Sequence, residues 1–222
     1  MTNPVPYTID EHTFWISPER SLFWEEEKTL IIADMHLGKS GHFRKAGIAI
    51  PQRIYQADLQ RLIAQLYLFK VERLIIAGDL THSTANKELD LFIKWRNDFS
   101  LLQIDLVKGN HDILNDSWYR EAGIQVSSNK LAAGPFLFIH DLNLHEELTE
   151  SEKKCYTFTG HMHPAISIRG KGKQSLRFPC FYFANDHCVL PAFSRFTGGY
   201  TVSPEKGETV FAIVENSLVQ MS

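Results

Sequence analysis

Cysteine is scarce: Cys155, Cys180 and Cys188 are the only three in a chain of 222 residues. Their number is odd and their spacing is not that of a metal knuckle. This argues against a disulfide framework and fits packed thiols in a reducing compartment. Charge of one sign is also lacking. A formal net charge of −3 gives no global basic field, so any nucleic-acid partner has to be held by a local patch or by metal ions. No stretch approaches the roughly 20 apolar residues needed to cross a bilayer. Asp10 and Glu11 stand where a secretory signal would carry its apolar segment. No internal repeat, low-complexity tract or interdomain linker interrupts the chain. With 44% hydrophobic and 22% charged residues, residues 1–222 are expected to form one domain with a buried core, cytoplasmic and without a membrane partner. Composition carries no signal for an oligomeric state.

Leu74-Ile75-Ile76-Ala77-Gly78-Asp79 is the centre of the sequence. The unbroken apolar run with β-branched residues at its middle suits a strand covered on both faces. Gly78 lets the chain turn sharply past the strand end, which puts the Asp79 carboxylate on the loop side, where open α/β sheets gather their ligands. Before it come strands at His12–Ile16 and Ser21–Trp24, a solvated tip at Glu25–Lys28, and a buried strand at Thr29–Ala33. Residues 37–51 form a loop, and Pro51 opens a helix with Tyr55, Leu59, Leu62 and Leu66 on one face. Asn86 caps a second helix that buries Leu89, Phe92 and Ile93, and Ile104–Val107 is a third strand of this half. Alternation of strand and helix predicts parallel crossovers. The second half has short apolar runs at 124–126, 136–139, 156–159, 165–168, 176–183 and 210–214, which predict a second, mostly antiparallel sheet packed on the first. Residues 143–154 read as a short exposed helix or loop.

Five stretches put metal-capable side chains just after these strands: Asp34-Met35-His36, Gly78-Asp79, Gly109-Asn110-His111-Asp112, His140-Asp141 and Gly160-His161-Met162-His163. Asp-x-His alone arises by chance about once in every two chains of this composition, whereas Gly-Asn-His-Asp is expected in about one in a thousand. Order and placement strengthen the joint signal. A dinuclear hydrolase holds two ions roughly 3.5–4 Å apart about a shared oxygen ligand, and Asp79, alone at the mid-sheet strand end, is the natural bridge. Mixed imidazole and oxygen ligands suit Mn²⁺ first, with Zn²⁺, Fe or Ni²⁺ also compatible, better than Ca²⁺. A hydroxide formed on such a pair can attack phosphorus in line.

These residues resemble the calcineurin-like metallophosphoesterases, whose pattern is D-x-H, G-D, G-N-H-D/E, H and G-H-x-H. The match runs in order from Asp34 to His163. The resemblance implies a four-layer α/β/β/α sandwich, with two mixed β-sheets packed face to face and flanked by helices. It implies two divalent metal ions, the first on Asp34, His36, Asp79 and His163 and the second on Asp79, Asn110, His140 and His161. His111 becomes the histidine that stabilises or protonates the leaving oxygen, with Asp112 supporting it. Ala33–Lys39, Phe43–Ile48 with Ile50-Pro51, Gly160–Pro164, Leu190–Ser194 and Thr197–Gly199 are similar to a narrower bacterial family, the ligase-associated DNA damage response endonucleases. That likeness implies a DNA substrate and work beside an ATP-dependent DNA ligase. Two positions depart from the broad pattern. His82 stands where many phosphomonoesterases carry Asp, and Gly78-Asp79-Leu80-Thr81-His82 is instead similar to the G-D-x-F-H of double-strand-break repair nucleases; Asp141 replaces the common Gly after His140.

The expected function is a dinuclear-metal phosphodiesterase acting on nucleic acid, a DNA-repair endonuclease or nuclease. Alternatives are a small-molecule phosphoesterase and a non-catalytic scaffold of the same fold. His82 either orients the substrate phosphate or bonds a ligand from behind. Lys39, Arg44 and Lys45 either steer a phosphate backbone or form an ordinary solvated loop, and the tip Arg169, Lys171 and Lys173 is read as solvated, with contact to substrate as the alternative. His12, His42, His145 and His187 are structural or surface residues, and the four tryptophans are core or interface.

Overall fold

In the computed structural model, residues 3–39, 53–82, 87–170 and 174–221 are described. The expected helix starts at Pro51 and Asn86, together with Arg44, Lys45, His42, Lys171 and Lys173, lie outside them.

The first sheet has seven strands in chain order: β1 (Val5–Ile9), β2 (His12–Ser17), β3 (Ser21–Trp24), β4 (Thr29–Ile32), β5 (Arg73–Ala77), β6 (Gln103–Val107) and β7 (Ile124–Ser127). β1 to β4 are joined antiparallel, and β4 to β7 run parallel. The parallel half is what βαβ connections produce: helices α1 (Arg53–Phe69), α2 (Lys87–Asp98) and α3 (Asp116–Glu121) lie between successive strands. The second sheet runs β14-β11-β12-β13-β10-β9-β8, with β15 paired to β12 and β16 to β15. Its strands are β8 (Lys130–Ala133), β9 (Phe136–Ile139), β10 (Tyr156–Thr159), β11 (Pro164–Arg169), β12 (Ser175–Phe183), β13 (His187–Val189), β14 (Tyr200–Thr201), β15 (Thr209–Val214) and β16 (Ser217–Met221). It is mixed, because β9, β10 and β13 are mutually parallel while the remaining pairs, apart from β11 with β14, are antiparallel.

The apolar runs of β4 and β5 explain the layering. Successive side chains point to opposite faces. Leu30, Ile32, Leu74 and Ile76 therefore join the core under α1 and α2, where Leu59, Leu62, Leu66, Leu89 and Phe92 meet them. Ile31, Ala33, Ile75 and Ala77 face the other way, into a core shared with Phe136, Phe138, Phe158, Phe181, Phe183 and Phe211 of the second sheet. Both faces are buried, as the unbroken run required. The two sheets thus pack face to face in the expected sandwich. The outer face of the second sheet is covered thinly among the described residues, by 3₁₀ turns at Leu142–Glu147 and Glu152–Lys154, from which Leu148 and Cys155 pack on Leu137 and Ile139. No helix among the described residues is long and apolar enough to cross a membrane.

The sheets are tied together at the edge that carries the site. Ala192 bridges Ala33, and the Phe193 and Ser194 amides donate to the carbonyls of Ala33 and Asp34 at 2.7 and 3.2 Å. The segment 190–194, notable in the sequence without a role, is therefore the clamp that continues β4 into the second layer.

Candidate metal centre

β4, β5, β6, β9 and β10 all end at this edge, and all five singled-out stretches meet there. His36 Nε2 lies 3.3 Å from His163 Nε2, which is 3.4 Å from Asp34 Oδ1. Asp79 Oδ2 is 3.9 Å from His36 Nδ1, 3.5 Å from His140 Nε2 and 4.0 Å from His111 Nε2. His140 Nε2 is in turn 3.2 Å from Asn110 Oδ1 and 3.1 Å from His161 Nδ1. Two groupings have ligand atoms close enough to share an ion: Asp34, His36 and His163, and Asp34, Asp79 and His140. Asp79 thus stands between a set around His36 and a set around His140.

Backbone conformation places these side chains. Asp34, His36, Asp79, His161 and His163 have φ between 50° and 64°, the left-handed region that non-glycine residues seldom occupy. Each such residue costs on the order of 1–3 kcal/mol and persists only where its surroundings fix it. Here the segments after β4 and β5 stay hydrogen-bonded to each other beyond the strands: Asp34 N to Gly78 O at 3.0 Å, His36 N to Asp79 O at 2.9 Å and Leu37 N to Leu80 O at 2.8 Å. Alternating left-handed residues turn successive carboxylates and imidazoles to the same side. Gly78, at φ 88°, cannot carry a side chain, because a Cβ would sit 1.9 Å from His140 Nδ1.

The chemistry of the donor set fits a cation. Asp34 and Asp79 are buried side by side, 0% and 2% exposed. Burial pushes the Asp79 carboxyl above its ordinary range, His140 and the His111 amide only partly offset this, and Asp34 adds to it. Burial, reinforced by Lys39 and the neighbouring histidines, lowers the His36 pKa to about 2, so the ring is neutral and able to act as a ligand. Its Nδ1 is buried without a hydrogen-bond partner, an orphan atom 3.9 Å from Asp79 Oδ2. Lys39 is half-buried, and Asp34 and Asp79 raise its pKa against the larger lowering by burial, so it belongs to the same electrostatic field.

Neighbouring groups orient this set. His140 Nδ1 is 3.2 Å from Ala77 O, which fixes the ring edge that presents Nε2, and Thr159 Oγ1 donates to His140 O at 2.7 Å. The His161 amide donates to Asp34 Oδ2 at 3.0 Å, and the His111 amide to Asp79 Oδ1 at 2.9 Å. Asp141, the departure from the broad pattern, accepts from Asn143 N at 3.0 Å and lies 3.6 Å from the outer nitrogen of His161. His111 is partly exposed and packs on His82, ring centroids 4.2 Å apart, while His82 also stands edge-on to His36.

Asp112 points elsewhere than the reading of the sequence implied. Its buried carboxylate accepts from Thr81 N and Oγ1 at 2.8 and 3.0 Å and from Gly109 N at 2.9 Å, so it locks the loop after β5 to the loop after β6. Asp112→Asn replaces one acceptor oxygen with a donor facing an amide. It should lower stability by about 1–3 kcal/mol and weaken metal affinity about 10–100-fold; urea melts and metal titrations check both. The role of Thr81 had no signal in the sequence beyond its place between Asp79 and His82.

Comparison with known proteins agrees with this geometry. Residues 28–178 match the family model described as the calcineurin-like phosphoesterase superfamily domain. Among solved structures, the chain resembles the Pseudomonas putida nuclease MPE with a TM-score of 0.80 and 28% sequence identity, over 95% of this chain and 97% of that one. No curated protein matches the chain in sequence.

Proposed function

Because the chain belongs to the calcineurin-like phosphoesterase superfamily, a family that implies divalent metals, we propose that it is a two-metal phosphodiesterase that cuts phosphate ester bonds in DNA, with repair as its setting. The observation that carries this is the convergence of five strand ends on Asp79, with His36, His111 and His140 nitrogens all within 4.0 Å of one carboxylate oxygen. Asp34, His36, Asp79 and His163 would hold one ion, and Asp79, Asn110, His140 and His161 the other, with Mn²⁺ the best match to this oxygen–imidazole set. Bound there, the ions supply an activated water and a clamp on the phosphoryl oxygens.

The chain's own groups do the rest. His111, partly exposed and anchored through its amide to Asp79, donates a proton to the departing alkoxide oxygen. His82 packs against the His111 ring and fixes its direction. Lys39 adds positive potential beside the two carboxylates. The nucleic-acid substrate is supported by the likeness to a nuclease over nearly the whole chain and by His82 in place of the phosphomonoesterase Asp. The narrower sequence resemblance supports work beside an ATP-dependent ligase.

The test is hydrolysis of single- and double-stranded DNA and of bis(p-nitrophenyl) phosphate in Mn²⁺, by wild type and His111→Ala. DNA cleavage that falls about 10²–10⁴-fold in the variant supports the reading. Turnover of the small diester without DNA cleavage favours a small-molecule phosphoesterase instead.

A further inference from the structure

A cavity of about 230 Å³ opens beside His163. Its lining includes Arg20, Arg177, Thr197, Gly198 and Gly199 and, among the described residues, no carboxylate. A second hollow of about 300 Å³ flanks the same loop beside His161, where Asp141, Asn143 and Tyr200 line it and, among the described residues, no lysine or arginine does. The centre therefore has one basic flank and one flank that carries an acid.

The basic flank is built into the fold. Arg20 sits at the turn between β2 and β3, and its Nη1 donates to Ala192 O and Ser194 O at 3.1 and 2.7 Å, so the guanidinium is held by the clamp that joins the sheets. The carboxylates near it are shared. Glu19 Oε2 takes Arg195 at 3.1 Å and lies 3.8 Å from Arg61 Nε, and Asp58 takes Arg61 at 3.1 Å. Three guanidiniums thus divide two carboxylates. Burial, with Arg195 pushing the same way and Asp58 and Glu19 only partly offsetting it, lowers the Arg20 pKa to about 10. Arg177, on β12, is exposed and touches the wall through a 3.5 Å contact from Nη1 to Gly199 O. A Cβ on Gly198 would meet nothing within 4 Å, so this stretch of wall is open, whereas one on Gly199 would come within 2.9 Å of Ala165 Cβ.

We propose that this cavity is the subsite for the phosphodiester that flanks the scissile one, with Arg20 as its floor and Arg177 as its rim. The inference rests on the nucleic-acid reading above and adds to it: the strand is held from the His163 side of the cut. Paired guanidiniums suit a non-bridging phosphate oxygen pair, and a phosphate contact contributes positioning and salt dependence with no sequence preference. A small diester has no second phosphate to place there.

The test compares kcat/KM on an oligonucleotide with kcat/KM on bis(p-nitrophenyl) phosphate, using the Mn²⁺-loaded enzyme. The ratio should fall about tenfold in Arg177→Ala and further in Arg177→Glu, through KM, and recover partly in Arg177→Lys. The slope of log(kcat/KM) for the oligonucleotide against log salt should shrink by about 0.7 for one lost single-strand contact. Lys70→Glu, exposed at the opposite edge of the sheet, should leave the ratio unchanged. Arg177 is exposed on its strand, so folding is checked simply by an unchanged melting curve. An Arg177→Glu enzyme that cuts DNA with the wild-type ratio and salt slope overturns the subsite alone. A wild type that hydrolyses the small diester but no oligonucleotide overturns the nuclease reading and this inference with it.

Discussion

Asp79→Asn should lower kcat/KM for phosphoester hydrolysis by about 10³-fold while leaving the fold intact. The amide is nearly isosteric, and its oxygen can still accept the His111 amide now bonded to Asp79 Oδ1. What is lost is the negative charge between the His36 and His140 sets. In the metal-free protein that charge is a liability. Burial raises the Asp79 pKa, and a raised carboxyl contributes stability below its unfolded pKa of about 3.9 that is lost as pH climbs through the folded value. Raising the pH from acid towards neutral therefore weakens the apo fold through this group. Apo Asp79→Asn should melt at or above the temperature of the apo wild type, yet lack the rise in melting temperature expected of the wild type when Mn²⁺ binds its native state. Differential scanning calorimetry with and without Mn²⁺, beside a rate assay, separates these effects. A variant that keeps both the metal-induced shift and the activity would remove Asp79 from the centre.

Gly109→Ala should be a severely damaging single methyl. A Cβ there would lie 2.1 Å from Asp79 Oδ1 and 2.6 Å from the Asp79 backbone nitrogen. A side-chain oxygen can rotate away, but the backbone nitrogen cannot. Either the loop after β6 or that after β5 must move to relieve that 2.6 Å contact, and Asp112 ties the two together through Gly109 N and Thr81 N. Overpacking of this kind costs about 1–3 kcal/mol or more, and displacement of positioned groups by about 1 Å costs on the order of 10² in rate. Urea denaturation and kcat/KM should show both losses together. A variant within about 0.5 kcal/mol of wild type, and with full activity, would mean that the two loops are not held as tightly as these distances imply.

The readable parts of the chain were those where one physical demand dominates. β4 and β5 are continuous apolar runs because helices cover one face and the second sheet the other. The aspartates and histidines of the site could be found because few residue types bind metal and all of them follow strands. Edge elements were less legible. β8, at Lys130–Ala133, and β16, at Ser217–Met221, are largely exposed, so their hydrophobic alternation is weak, and α3 has six residues, too few for a 3.6-residue period to register. Asp112 was singled out by its place in Gly-Asn-His-Asp, but its partners are two backbone amides and a hydroxyl, which carry no sequence signature. The Arg20 cavity was invisible for another reason: its walls come from residues more than 170 positions apart, joined only by tertiary contact. The left-handed backbone at Asp34, His36, Asp79, His161 and His163 runs against residue preference, and such conflicts between local and overall structure gather at functional sites.

The most direct measurement is anomalous diffraction at the manganese edge from crystals grown with Mn²⁺. Two peaks roughly 3.5–4 Å apart are expected, one among Asp34, His36 and His163 and the other among Asn110, His140 and His161, with Asp79 reaching both. A single peak, peaks away from Asp79, or none at saturating Mn²⁺ would contradict the two-metal centre.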